Sequence, residues 1–117
     1  MTRSTAEVEF HKAVMQGSAS LKADGYNPSR FLEMVADLGA PQAARQLLQT
    51  SNPSDGFTTL WEMHRLDMSV EAMALLPWYE ALFTVAEREN ARRRLEGHGF
   101  DVDAFLRSAA ASPPPWA

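Results

Sequence analysis

Apolar residues along this chain recur every three or four positions, and nowhere do they alternate over a useful length as a half-buried strand requires. Ser4 and Glu7 have the spacing of a capping box, which predicts a helix from near Thr5. Its apolar stripe, Phe10, Ala13, Val14, Gly17 and Leu21, thins into small residues in its second half. The helix is therefore expected to end about Lys22 and to fray or kink near Gly17. After Asp24-Gly25-Tyr26, Asn27 has N-cap chemistry and Pro28 suits a first helical position. The face of that second helix is Phe31, Leu32, Val35 and Leu38, and Gly39 ends it. Pro41 opens a third helix with Ala43, Ala44, Leu47 and Leu48 inward, and its alanines would let another helix approach closely.

Ser51 to Gly56 is turn chemistry throughout. The stretch from Asp55 to Phe83 then holds two of the three Trp residues and the densest run of large apolar side chains, so it is expected to form the middle of the core. Phe57, Leu60, Trp61 and His64 are predicted to share one face of a short helix, which buries Trp61 and sets His64 at the core edge. Asp67 or Ser69 caps the next helix, Glu71 near its start complements the helix dipole, and Val70, Met73 and Ala74 face inward. Pro77 ends it, and Trp78, Tyr79, Leu82 and Phe83 read as one more apolar turn. Thr84 and Glu87 repeat the capping-box spacing and open a charged helix through about Glu96, with few apolar residues (Val85, Ala91, Leu95). Asp101 caps a last helix carrying Val102, Phe105, Leu106 and Ala109, and SPPPWA ends the chain without helix.

The expectation is an all-α fold: one compact domain over 1–110, made of six or seven short helices, with a flexible, extended Pro-rich tail over 111–117. The length of 117 residues suffices for one domain with a core that needs no covalent staples. Hydrophobic content of 45% and charged content of 22% fit a globular chain and not a disordered one. With no Cys, disulfides, thiolate nucleophiles and Cys-based metal centres are excluded. Charged residues interrupt the N-terminal stretch where a signal peptide needs an apolar run, and Ala72 to Leu76 is too short to span a bilayer. The expected location is cytoplasmic, without membrane association.

Formal net charge is −4, which opposes the concentrated basic surface that nucleic-acid binding needs. The most basic segment is Arg92-Arg93-Arg94 with Arg88 one turn earlier, and a nucleic-acid reading places Arg88, Arg92 and Arg45 on phosphates. Glu87, Glu89 and Glu96 interleave with these arginines and favour a solvated helix face instead. Glu62, His64 and Asp67 are the acid/base alternative, but Glu62 and His64 point apart on a helix and Asp67 falls in a break. The three His residues are scattered, and no zinc, EF-hand, phosphate-loop or nucleophile-elbow motif occurs. No catalytic, cofactor or metal site is expected.

The run from Gly25 to Gly97 resembles a bacterial family of all-helical proteins to which no activity is attached. The resemblance is carried by GYNPSRF, SDGFTTLWE, RLDMSVEA and LFTVAERENARRRL. It implies the domain boundaries and brings no site residues. The function expected from the residues is a non-enzymatic interaction or regulatory module that binds a larger protein. Candidate partner-binding residues are Met68, Trp78, Tyr79, Arg88, Arg92 and Trp116, the last on a stiff polyproline segment. The alternatives are a nucleic-acid-associated regulator using the Arg88 to Arg94 face, and an enzyme around Glu62, His64 and Asp67.

Overall fold

A computed structural model describes residues 4–117, so the first residues of the expected domain lie outside the described residues. Helix α1 runs Thr5–Ala23, where Ser4 accepts from Glu7 N–H and Glu7 returns the bond to Ser4 N–H. It is continuous through Gly17, contrary to the expected fray. A β-carbon on Gly17 would lie 3.3 Å from Met68 Cε, so the glycine admits a neighbour and does not break the helix. Helix α2 (Ser29–Leu38) starts later than expected, with Pro28 as its cap and no side-chain bond from Asn27. Gly39, at φ 84°, joins it directly to α3 (Ala40–Gln49), a left-handed conformation that favours glycine.

Ser54 accepts from Phe57 N–H and opens α4 (Asp55–Glu62). A 3-10 turn over Leu66–Met68 leads to Ser69, which caps α5 (Val70–Ala74) by accepting from Ala72 N–H. Of the two capping candidates, Ser69 holds the position, and Asp67 pairs with Arg65 at 3.2 Å. A second 3-10 segment, Pro77–Leu82, precedes α6 (Val85–Gly97), whose capping box is Thr84 and Glu87. Asp101 caps α7 (Val102–Ala110) through Ala104 N–H. There is no strand among the described residues, and the chain forms one all-helical globule. Its Cα radius of gyration, 13.3 Å, is that of a compact domain of this size.

The helix that others are arranged around is α3, which packs on α1, α2, α5 and α6. Ala40, Ala43 and Ala44 have no exposed surface, so backbones approach α3 as its small residues allow. The Asp55 to Phe83 stretch lines this hub with Phe57, Leu60, Leu66, Ala72, Leu75, Tyr79 and Phe83. Phe10 of α1 meets Tyr79 and Phe83 edge-on, with centroids 5.1 and 5.5 Å away. Residues 113–117 carry no helix. Ala117 N–H donates to the Pro114 carbonyl, and the Trp116 ring lies 5.7 Å from Tyr79.

Three expectations on the central stretch are corrected. Trp61 is 45% exposed, because α4 is short and Phe57 and Leu60 already occupy its inner face. His64 leaves that face, since α4 ends at Glu62 and His64 takes φ 58° in the following turn. On α5 the buried side chains are Glu71, Ala72 and Ala74, while Val70 and Met73 are half-buried. Glu71 does stand in the first turn of α5, where a carboxylate complements the dipole, but it is an interior group.

Candidate functional site

Helix α6 is the most charged helix of the fold, yet much of its charge is inside. Arg94, expected in a basic surface patch, is 7% exposed. Its Nη1 donates to Glu71 Oε2 at 3.1 Å and to the Leu47 carbonyl at 2.9 Å, and its Nη2 donates to the Thr50 carbonyl and hydroxyl. One turn back, Asn90 donates to the Leu48 carbonyl at 2.6 Å. The last carbonyls of α3 have no partners within their own helix, and α6 supplies them. Burial raises the Glu71 carboxyl above its usual range, and the hydrogen bonds and charge of Arg94 pull it the other way without cancelling that.

A second interior carboxylate, Glu87, joins the same two helices. Its Oε2 accepts from Gln49 at 2.7 Å and from Arg45 at 3.4 Å, and its Oε1 completes the capping box at Thr84 N–H. Burial alone would raise its carboxyl, but these bonds and the Arg45 charge prevail and hold it below the usual range.

The remaining arginines do not make one basic face. Arg88 Nε donates to the Ala74 carbonyl at 3.3 Å, and its Nη1 lies 3.5 Å from Glu80. Arg92 sits between Glu96 (3.4 Å) and Asp103 (3.3 Å), and Arg45 is held by Glu87. Arg93 is exposed. Glu62, His64 and Asp67 share no hydrogen bond, and no cluster of His, Asp and Glu suited to a metal occurs among the described residues.

Other sequence candidates also fall inside. Tyr79 is buried, and Met68, Trp78 and Trp116 are half-buried against the core. The structure brings Trp116 onto Tyr79 and packs Met68 against Gly17 in the wall of a cavity. The sequence reasoning missed a different group: Trp61, Phe57 and His98. His98 presents its ring edge-on to Phe57 at 4.9 Å and to Trp61 at 5.3 Å, and its Nδ1 donates to the Arg94 carbonyl at 2.8 Å. No local spacing announces that contact, because α4 and the end of α6 are far apart in sequence.

Two concavities stand out. The first is a trough of about 520 Å³ lined by His11 and Met15 of α1 and by Leu32, Val35, Ala36 and Leu38 of α2. Both helices pack on α3 far more than on each other, which leaves the trough open. Met15 and Leu38 are exposed there, as is Val8 on the same face of α1, and His11 Nδ1 is enclosed without a hydrogen-bond partner among the described residues. The second is a cavity of about 260 Å³, mostly apolar, between the second half of α1 and the Met68 to Leu76 segment.

Comparison with known proteins returns no match: no family model, no curated protein and no solved structure is similar to this chain. No helix among the described residues is long and apolar enough to cross a membrane. The motif residues that carry the bacterial-family resemblance have structural posts: Ser54, Ser69 and Thr84 cap helices, Phe57 is core, and Glu71 pairs with Arg94.

Proposed function

We infer that the protein is a non-enzymatic interaction module whose docking surface is the α1–α2 trough. One observation carries the reading: Val8, Met15 and Leu38 leave hydrocarbon in solvent beside an open groove between two helices of one hub. A trough between helix flanks takes a further helix with its apolar face inward. Asp37 is the carboxylate in its lining, so the favoured partner is a protein presenting an amphipathic helix with a basic residue beside its apolar stripe. The interior placement of Glu71, Glu87 and Arg94 supports a scaffold role for the charges that would otherwise suggest catalysis or phosphate binding.

The test is a double substitution, Met15→Glu with Leu38→Glu, compared with Arg92→Ala/Arg93→Ala by affinity capture and by sedimentation of the purified protein. The trough variant is expected to fold normally and to lose the bound protein, and the arginine variant to retain it. Retention of the same partner by the trough variant, or its loss only in the arginine variant, overturns the assignment. Self-association abolished by the trough variant would make the occupant a second copy and overturn the basic-helix partner.

A further inference from the structure

The second half of α1 is where the apolar stripe runs thin, and the fold does not fill the space this leaves. Ala13, Gly17 and Ser18 line the 260 Å³ cavity together with Val70, Met73, Leu76 and Met68, whose methyl packs beside Gly17. A water molecule's share of liquid volume is about 30 Å³, so the space is that of about nine non-hydrogen atoms. Protein interiors rarely leave such voids, because unfilled apolar volume forfeits packing contacts. Dry cavities smaller than this one hold small hydrocarbons.

One end of the cavity is polar. Tyr26 lines both the cavity and an outer groove beside Asn27, Arg30, Phe31, Met34 and Asp55, so it stands at the mouth. Its hydroxyl forms no hydrogen bond among the described residues, and it approaches the backbone of α4 so closely that a β-carbon on Gly56 would lie 2.9 Å from it. Ser54 Oγ accepts from Phe57 N–H at the same end and retains its own proton to donate. The cation of the outer groove, Arg30, stands in solvent 3.6 Å from Asp55 and outside the cavity lining. Glu71, in the lining, is committed to Arg94. No Lys or Arg lines the cavity itself, so an anionic head group drawn inside would go uncompensated.

We propose that this cavity is a binding site for a small uncharged molecule: a hydrocarbon body of about eight carbons with one hydrogen-bonding head group set at Tyr26 and Ser54. The hydrocarbon lies along Gly17, Met68 and Met73, and the head group emerges toward the outer groove. This site is distinct from the α1–α2 trough and does not depend on it.

The experiment titrates 1-octanol into the full chain carrying ¹³C-methyl methionine. Saturable shifts are expected at Met68 and Met73 and none at Met15, with a Kd of about 0.1–1 mM, the range for a ligand of this size. Octanoate is expected to bind at least about ten-fold more weakly. Gly17→Leu fills the cavity and is expected to abolish the shifts. Tyr26→Phe keeps the ring's packing and is expected to weaken octanol by about three- to ten-fold, so a folding failure of the first variant leaves the second to decide. Absence of saturable shifts at Met68, or octanol binding indifferent to Tyr26→Phe and to Gly17→Leu, refutes the site. Equal binding of octanoate refutes the uncharged head group.

Discussion

Where α3 meets α6, two carboxylates and an arginine lie inside the protein and each has its partners. Where α3 meets α1 and α2, hydrocarbon lies outside it, and His11 Nδ1 is enclosed without a partner among the described residues. The two regions invert the ordinary rule of charge outside and hydrocarbon inside, in opposite senses. The first is satisfied within the fold: α6 closes the end of α3, Glu87 and Arg94 each have several hydrogen bonds, and Glu71 has Arg94, which offsets part of its desolvation. The second leaves hydrocarbon in solvent and one ring nitrogen unpaired among the described residues. A group that is costly and satisfied reads as architecture, and a group that is costly and unsatisfied points outward to a partner.

The strongest way to break the contrast is to remove Arg94. Arg94→Met leaves Glu71 buried and uncompensated and removes the Arg94 donors from the carbonyls of Leu47, which keeps the Thr50 hydroxyl, and of Thr50, so a loss of about 3–5 kcal/mol is expected in chemical denaturation. Glu71→Gln leaves Arg94 its carbonyl partners and should cost less, about 1–2 kcal/mol. The reverse order would mean that the pair, and not the closing of α3, holds the region together.

Acid sharpens the same region. The Glu87 carboxyl sits below its unfolded value of about 4.3, so the unfolded chain binds the extra proton in that interval. Its contribution is present above that value and is lost as pH falls through the lower folded value. Glu71, raised by burial, acts oppositely: its contribution is greatest when protonated and is lost as pH rises through its folded value. Glu87→Gln is therefore expected to cost about 1–2 kcal/mol at neutral pH and to flatten the decline of stability below about pH 4. An acid limb as steep as that of the wild type in urea titrations would show that Glu87 is not its source.

On the apolar side the expected effects are smaller. Trp61→Ala should cost about 1 kcal/mol, since nearly half of the residue is already in water and the truncation removes little beyond its packing on the edge of His98. A loss of several kcal/mol would return Trp61 to the core. His11→Leu removes the orphaned nitrogen and is expected to gain about 1 kcal/mol in thermal unfolding. A loss of stability instead would show that His11 has a structural bond within the fold, and would weaken the contrast.

The helix starts were legible in the sequence because a cap acts across three residues of chain. Ser4, Thr84 and Asp101 each accept from the backbone N–H that local spacing predicts, Ser69 is one of the two candidates offered for α5, and no distant partner is needed; Asn27 is the exception, since α2 starts without a bond from it. Residues 88 to 94 carried no such information. Arg92 and Arg94 are the same residue type two positions apart, yet Arg92 lies between surface carboxylates and Arg94 lies inside. That choice was made by Glu71, 23 positions away, and by the end of α3, more than 40 away. Val85 shows the converse, an apolar residue left 71% exposed because the capping box fixes the helix phase and turns it outward. The trough and the cavity were illegible for a related reason. A gap is made by the elements that surround it, and the thin stripe of α1 becomes a cavity wall only because Met68 and Tyr26 line the same space. Local hydrogen bonds specify where helices begin, whereas burial is a property of the whole packing, and charge and hydrocarbon take their meaning only there.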